Sequence, residues 1–241
     1  DHLKWAYSID YSDDGTRMIT SSRDGTIIEW DTKTWEKRNH FKDHLDRIYS
    51  VKYCANDSLL MSRSRDKTAK IWSSFEGELV HSLTGHEAFL TGVCDNANGN
   101  KLLTSSADGS VIQWNAETGK QVMRFFVFNK DVTKTLLLTP DNYYKSSKSS
   151  ASLLHYTKGL QVFPFSQFDL KYNRPDIVLD RLGYASPEKI KSYRRAYEKR
   201  LQKMGFTEDM LKADFHLPET SITNIDDLLL QIEQDKDTLN I

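Results

Sequence analysis

The stretch GHEAFLTGVCDNANGNKLLTSSADGSVIQWN, residues 85–115, carries a spaced skeleton of polar and aromatic residues: Gly85-His86, Asp108 and Trp114-Asn115. A shift of 42 residues toward the amino terminus places this skeleton on Asp43-His44, Asp66 and Trp72-Ser73. A second shift of the same length reaches His2, Asp24 and Trp30-Asp31, and neither shift needs a gap. A gapless period of this length is typical of repeat architectures, in which each unit buries its apolar face against its neighbours.

Each repeat predicts four short strands. Apolar residues alternate with polar ones in every unit, as in Tyr7, Ile9 and Tyr11 of the first, and this period of two indicates half-buried strands. Polar breaks such as Ser12 to Gly15 and Arg23-Asp24-Gly25 separate the strands and favour hairpin turns. In the first unit the predicted strands cover residues 6–11, 17–22, 26–30 and 37–41. Each unit is therefore predicted to form one antiparallel blade.

The three units resemble the WD-repeat β-propeller family, in which a histidine precedes a Ser or Thr, an Asp and a Trp-Asp pair at fixed spacing. The resemblance implies a buried relay of hydrogen bonds from tryptophan to hydroxyl to histidine to aspartate in each blade. The four members in this sequence would be His2, Thr20, Asp24 and Trp30; His44, Ser62, Asp66 and Trp72; and His86, Thr104, Asp108 and Trp114. The hydroxyl member is open, because Ser22, Ser64 and Ser106 lie on the same faces of the same strands.

Repeated His, Ser or Thr, and Asp residues invite comparison with a hydrolytic triad. Three copies with an attached tryptophan indicate architecture instead, because a buried indole, hydroxyl, imidazole and carboxylate satisfy one another when linked in a chain. The chain is accordingly predicted to be non-catalytic, with no cofactor and no metal site. Cys54 and Cys94 fit no metal-ligand spacing and are assigned to packing.

The pattern weakens after the third repeat. Four apolar segments between residues 135 and 165 again predict strands, but they lack His, Asp and Trp at the expected positions. The alternative is an irregular capping segment. The predicted fold class is mainly β: a partial propeller with blades at about 1–42, 43–84 and 85–126, a degenerate fourth blade at 127–165, and then a mainly helical segment.

The segment 166–216 is predicted to be a helical junction. Ser186 is a natural N-cap, Pro187 suits the first helical position and Gly205 suits the end of the helix. The helix between them has one apolar stripe and one strongly basic face, which suits a solvated helix packed on a neighbour better than a membrane or nucleic-acid contact. The stripe consists of Ile190, Tyr193, Tyr197, Leu201 and Met204. Residues 217–241 are predicted to be a linker and the possible start of a truncated β domain.

A second, narrower resemblance covers about the last 100 residues. It rests on three segments that resemble the junction after the WD-repeat propeller of large bacterial caspase-like proteins: Leu138 to Tyr144, Phe168 to Gly183 and Tyr197 to Phe206. The resemblance implies that a caspase-like cysteine peptidase domain lies beyond Ile241, and it favours strands over a helix at 225–241. Neither cysteine of this chain has the sequence context of the peptidase nucleophile.

Composition restricts the partners. The net charge of -1 with 28% charged residues creates no overall field for nucleic acid, so neither nucleic acid nor membrane is an expected partner. No apolar run approaches the roughly 18 residues of a membrane span, and the amino terminus has no signal-peptide character, so a cytoplasmic location is expected. His2 already occupies a repeat position, so upstream blades of the same parent chain are expected to complete the propeller.

The leading functional hypothesis is a protein-binding scaffold or sensor. The WD-repeat resemblance implies that a protein or peptide partner binds beside each relay, and the matching residues are Leu3, Trp5, Arg23, Leu45, Arg47, Arg65, Glu87 and Phe89. A purely structural spacer is the alternative, and a hydrolase that uses the propeller channel is less favoured. Open blade edges predict self-association or instability of the isolated chain.

Overall fold

The computed structural model describes residues 1–96, 98–128, 134–147, 150, 155–158, 161–164 and 168–213. The chain divides into two compact units, Asp1–Phe125 and Phe126–Ile241.

The strands of the first unit belong to three antiparallel sheets, and in each sheet the strands lie in chain order. The first sheet consists of β1 (Ala6–Tyr11), β2 (Arg17–Ser22), β3 (Thr26–Asp31) and β4 (Lys37–Lys42). The second consists of β5 (Ile48–Cys54), β6 (Leu59–Ser64), β7 (Ala69–Ser73) and β8 (Leu79–Leu83). The third begins with β9 (Leu90–Asp95), β10 (Lys101–Ser106), β11 (Ser110–Asn115) and β12 (Gln121–Val127), and the unit boundary falls inside β12. The mainly β fold class with three blades is confirmed.

The turns follow from residues that accept a left-handed backbone. Gly25, which follows Asp24 between β2 and β3, has φ 82°, and a Cβ there would lie 3.1 Å from the carbonyl oxygen of His44. Both the conformation and the space therefore favour glycine at this turn. The equivalent residue of the second sheet is Lys67, which adopts φ 70°. That turn keeps the same conformation in spite of its side chain.

Apolar side chains fill the space between neighbouring sheets of the first unit. One cluster joins the first sheet to the second, and its buried members are Ile19, Ile27, Phe41, Ile48, Val51, Leu60 and Trp72. A second cluster joins the second sheet to the third and includes Ile71, Leu90 and Trp114. The position equivalent to Val51 in the first sheet is Ile9, which is 58% exposed, whereas Val51 is 0% exposed. The side of the first sheet that carries Ile9 thus presents apolar surface to solvent.

A polar group is buried within the first of these interfaces. Glu29 on β3 is fully buried, and its carboxylate accepts hydrogen bonds from Asn39 and Tyr53 at 2.8 Å each and from Ser74 at 3.0 Å. Arg17 lies 3.4 Å from the same carboxylate. Burial, reinforced by the hydrogen bond to Glu29, raises the pKa of the Tyr53 hydroxyl, which therefore remains a donor. These hydrogen bonds join the first sheet to the second around Glu29.

The second unit differs from the predicted single fourth blade in its strand pairing. The four expected strands are β13 (Thr135–Leu138), β14 (Tyr144–Ser146), β15 (His155–Lys158) and β16 (Gln161–Pro164). They form two hairpins that belong to different sheets: β13 and β14 follow β12 as the last two strands of the third sheet, and β15 pairs with β16 in a separate two-stranded sheet. Apolar residues around β13 and β14 instead pack on a helix, through a cluster of Phe126, Leu136, Tyr144, Phe168 and Tyr172.

Four helices follow: α1 (Asp169–Tyr172), α2 (Pro175–Leu182), α3 (Pro187–Met204) and α4 (Glu208–Ala213). The caps of α3 are those expected, because the Ser186 side chain accepts a hydrogen bond from the Lys189 amide and Gly205 ends the helix with φ 74°. Tyr197 and Leu201 of the predicted stripe are buried, whereas Met204 is 56% exposed. The stripe was therefore predicted one turn too long.

An arginine holds the helices of the second unit together. The guanidinium of Arg174 donates to the Asp176 carboxylate at 3.0 and 2.8 Å and to Glu208 at 2.7 Å. It also lies 4.0 Å from the centre of the Tyr197 ring. Arg194 on α3 donates to the same Glu208 at 2.7 Å, so α4 is tied to both preceding helices. The predicted linker and truncated β domain at 217–241 lie outside the described residues.

None of the helices described here is long and apolar enough to cross a membrane.

Candidate functional site

The third sheet contains a closed set of side-chain hydrogen bonds. The Nδ1 atom of His86 lies 2.8 Å from Asp108 Oδ2, and its Nε2 atom lies 2.8 Å from Thr104 Oγ1. The Trp114 indole donates to the same hydroxyl oxygen at 2.8 Å. All four side chains are buried. Because Asp108 fixes the imidazole proton on Nδ1, we assign the Thr104 hydroxyl as donor to Nε2.

The second sheet repeats this arrangement nearly atom for atom. His44 lies 2.7 Å from Asp66 and 2.8 Å from the Ser62 hydroxyl, and the Trp72 indole donates to Ser62 at 2.9 Å. The Asp66 carboxylate also accepts hydrogen bonds from two amides and a hydroxyl. The Leu45 amide donates at 3.0 Å, the Thr68 amide at 2.9 Å and the Thr68 hydroxyl at 2.6 Å.

The relay of the first sheet is looser. His2 Nε2 lies 2.8 Å from Thr20, and the Trp30 indole donates to Thr20 at 2.9 Å. The other imidazole nitrogen lies 3.0 Å from Thr26 and 3.6 Å from Asp24, so Thr26 stands between histidine and carboxylate. Burial lowers the pKa of His2, which favours the neutral imidazole in this position.

Thr20, Ser62 and Thr104 are thus the hydroxyls within reach of the tryptophans, whereas Ser22, Ser64 and Ser106 bind backbone. Ser106 donates to the Ala88 and Phe89 carbonyls at 2.9 and 3.0 Å, and its oxygen accepts from the Asp108 amide at 3.2 Å. The three serines therefore hold the segment after each histidine against the turn that carries the aspartate.

The relay carboxylates are ionised despite being buried. Burial by itself raises the pKa of Asp24, but hydrogen bonds from Thr26 and the Leu3 amide outweigh it and lower the pKa to about 2. The same balance, with His44 or His86 among the donors, lowers the pKa values of Asp66 and Asp108 further. The histidine, hydroxyl and tryptophan of the relay are buried in the second and third sheets, whereas the relay of the first sheet is half-buried. In every relay the hydroxyl is engaged by the histidine and the indole, and these hydrogen bonds stabilise the sheets.

The predicted partner-binding residues lie together at the end of the sheets where the relay aspartates sit. We call this surface the relay-end face; it comprises the segments after each relay histidine and the turns that contain each relay aspartate. Leu3, Trp5 and Leu45 are 91%, 71% and 93% exposed, and Phe89 is 43% exposed. Arg23, Arg65 and Glu87 are exposed, whereas Arg47 is half-buried.

Aromatic side chains of successive repeats lie against one another at this face. The Tyr49 ring lies 5.9 Å from that of Tyr7 and 6.2 Å from that of Phe89, measured between ring centres. Arg63 lies 5.8 Å from the Tyr49 ring centre and donates to the Leu90 carbonyl at 3.1 Å. Arg23 lies 5.5 Å from the Trp5 ring. Sequence reasoning missed Tyr7, Tyr49 and Arg63, although Tyr7 and Tyr49 occupy one repeat column.

Sequence reasoning also missed a cavity of about 650 Å³ at the opposite end of the sheets. Its polar and acidic lining comes from the ends of β1 and β9 and from the turns after β1, β5 and β9: Asp10, Asp13, Asp57, Asp95, Asn56 and Asn96. Two of these carboxylates accept amide hydrogen bonds, Asp10 from Tyr53 at 3.0 Å and Asp57 from Asp13 at 2.7 Å. The sequence could have indicated this acidic site, because each of these four aspartates occurs in one repeat and has no carboxylate at the equivalent positions of the other two.

Within the described ranges, no group of three or more His, Cys, Asp or Glu residues is arranged to hold a metal ion. Cys54 is buried, and burial raises the pKa of its thiol to about 12, so it is a poor nucleophile. Cys94 is exposed, and neither cysteine forms a disulfide.

Residues 1–31, 35–73 and 77–115 match the WD domain, G-beta repeat. Each matched stretch contains one complete relay; the first spans β1 to β3, and each of the other two spans the last strand of one sheet and the first three strands of the next. The WD40 assignment supports a place in the WD-repeat family and a role in protein interaction. No curated protein matches the chain.

Proposed function

We propose that this chain is a non-catalytic module that binds a partner protein through its relay-end face. The observation that carries the proposal is the contrast between repeated and unrepeated residues. The repeated His, hydroxyl, Asp and Trp side chains are buried or half-buried and mutually bonded. Close to them, Trp5, Arg47 and Phe89 occupy one position of the three repeats and differ in type, and Trp5 and Phe89 are 71% and 43% exposed.

The composition of this face supports a protein partner. Tryptophan, other aromatic residues and arginine are the side chains that contribute most to protein interfaces, and Trp5, Phe89, Arg47 and Arg65 supply them here. Relay hydrogen bonds hold the loops that carry these side chains, because Asp24, Asp66 and Asp108 accept from the amides of Leu3, Leu45 and Glu87. A rigid loop loses little entropy on binding, which favours affinity.

The role toward an effector is part of the proposal. The tail resembles the junction that precedes a caspase-like peptidase domain, so we place this module upstream of such a domain, which it recruits or regulates. The parent would then be a bacterial multidomain protein.

Self-association of the isolated chain is a further part of the proposal. The side of the first sheet that carries Ile9 and Tyr11 is apolar, and these side chains are 58% and 51% exposed. In the full propeller an upstream blade would cover this side. Light scattering of the 241-residue chain is expected to show association that increases with concentration, and a monodisperse monomer would remove this part of the proposal.

An affinity capture with alanine variants tests the binding role. The triple variant Trp5→Ala, Arg47→Ala, Phe89→Ala removes side chains from three repeats of the relay-end face. The control variant Asp13→Ala, Asp57→Ala, Asp95→Ala changes three residues around the opposite cavity. Proteins recovered from native lysate by the wild type and by the control should be lost with the first variant. Equal recovery by the wild type, the control variant and the relay-end variant would instead favour a purely structural spacer.

A further inference from the structure

Arg47, on the relay-end face, lacks a hydrogen-bond acceptor for one of its side-chain nitrogens within the part of the chain that the structure describes. It lies immediately before β5, in the repeat column of Trp5 and Phe89, and its Nε atom is buried without a hydrogen-bond acceptor among the described residues. Asp46 Oδ1 is the nearest carboxylate oxygen, but it lies 3.7 Å away and already accepts from the Arg47 amide at 2.7 Å. A buried guanidinium donor without an acceptor costs free energy until a partner supplies one.

Arg65 places a second guanidinium beside the first. Its Nη1 atom lies 3.7 Å from the other oxygen of Asp46, and its amide donates to the Arg47 carbonyl at 3.0 Å. Asp46 thus stands between two guanidinium groups without a close hydrogen bond to either. One carboxylate against two arginines leaves positive charge in excess at this point, and a planar guanidinium binds a carboxylate through two parallel bonds.

Apolar surface adjoins this pair of arginines. Phe89 of the next repeat occupies the position equivalent to Arg47, and its ring contacts that of Tyr49, two residues after Arg47. Leu45, two residues before Arg47, is 93% exposed. A ligand that reaches both arginines therefore also passes over aromatic and aliphatic side chains.

We infer that the relay-end face binds a peptide segment in which an Asp or Glu side chain stands next to an apolar residue. This inference rests on the proposed function and names the chemistry of its partner. The carboxylate pairs with Arg47 and Arg65, and the apolar side chain packs on Phe89 and Leu45. A single-stranded nucleic acid fits less well, because Asp46 and Glu87 also lie on this face and would repel a continuous line of phosphates.

Selection from phage-displayed random dodecapeptides on the full chain tests the inference. Selected peptides are expected to be enriched in Asp or Glu adjacent to Leu, Phe, Tyr or Trp. The affinity of a synthetic selected peptide, measured by fluorescence polarisation, is expected to fall about tenfold or more with Arg47→Gln, Arg65→Gln, since two charge-assisted contacts are lost. Arg38→Gln, an exposed arginine on β4, serves as the control and should bind as the wild type does.

The outcomes separate the inference from the function beneath it. Selection of neutral or basic peptides that Trp5→Ala and Phe89→Ala release would overturn the acidic partner and leave the binding role intact. Peptides insensitive to every relay-end substitution would overturn both. Tighter binding of a single-stranded RNA dodecamer than of any peptide, lost in the arginine variant, would also overturn the peptide assignment. Thermal unfolding of each variant establishes whether it is folded. If the double variant is not folded, the single variant Arg65→Gln takes its place in the affinity measurement.

Discussion

Asp66 accepts four hydrogen bonds, from the His44 imidazole, the Leu45 amide and both donors of Thr68. In Asp66→Asn the amide group presents hydrogen atoms where two of these donors point. We expect the free energy of unfolding to fall by about 1.5–3 kcal/mol, the usual cost of disrupting buried hydrogen bonds to a charged group. Urea unfolding followed by circular dichroism measures it. Asp95→Asn on an exposed residue is the control, and equal stabilities would refute the structural role of the relay.

The same carboxylate makes stability depend on pH. Its pKa in the folded chain lies below the ordinary value of 3.8, so its contribution is complete above pH 3.8 and declines as the pH falls below that value. For Asp24 the decline is centred between pH 3.8 and about 2. We expect the unfolding free energy of Asp66→Asn to vary less steeply than that of the wild type in this range. Parallel curves would indicate that Asp66 is not a stabilising acceptor.

At residue level the sequence predicted the relay members but left two hydroxyls open in each repeat. Thr104 and Ser106 both point to one side of β10, and the spacing alone does not tell which meets the indole. The register of β10 on β11 decides it, because Thr104 is opposite Ile112, two pairs along the ladder from Leu102 opposite Trp114, whereas Ser106 lies two residues farther away. The unpaired Arg47 nitrogen was likewise invisible in the sequence, since it depends on the position of Asp46.

At the level of elements, the contact between the first two sheets depends on Glu29. All four of its neighbours are donors, so Glu29→Gln would set its own amide hydrogens against them. Disrupting a buried, paired charge costs about 3–5 kcal/mol, and we expect a loss of stability of that order. Thermal or urea unfolding measures it, with the exposed Glu36→Gln as control. A cost below that of a surface substitution would mean that apolar packing alone joins the sheets.

Helix α3 allows a simpler test in the second unit. Ser186→Ala removes the side chain that accepts from the Lys189 amide, and loss of such a cap costs about 0.5–2 kcal/mol. The midpoint of the unfolding transition followed at 222 nm should decrease. Ser192→Ala, within the same helix and exposed, should leave it unchanged or slightly raised. If both substitutions have equal effects, the cap does not stabilise the helix.

Elements that recur were predictable, and elements that occur once were less so. Apolar columns shared by three repeats determined the strands of the first unit. The strands β13 to β16 were found from alternation, but their pairing into two hairpins was not, because alternation identifies a strand without its neighbour. Glu29 stands in a column with Ile71 and Gln113, so a scan for a single charge in an otherwise uncharged column would have drawn attention to it.

For the molecule as a whole, the proposed binding surface lies at one end of the sheets, and the relays that stabilise the sheets recur in three repeats. Trp5, Arg47 and Phe89, which differ between the repeats, lie at the end that carries the relay aspartates. The acidic cavity lies at the other end. Fold and relay are common to the repeats, so under our proposal the chemistry of the partner depends on single residues such as Arg47 and Phe89.

Site-specific photocross-linking tests the central claim most directly. A photoreactive p-benzoylphenylalanine replaces either Leu45, on the relay-end face, or Phe75, which is 73% exposed on the turn after β7 at the opposite end. In native lysate the probe at position 45 should form a discrete adduct with a partner protein, and the probe at position 75 should not. Adducts at position 75 alone, or the same adducts at both positions, would contradict recognition through the relay-end face.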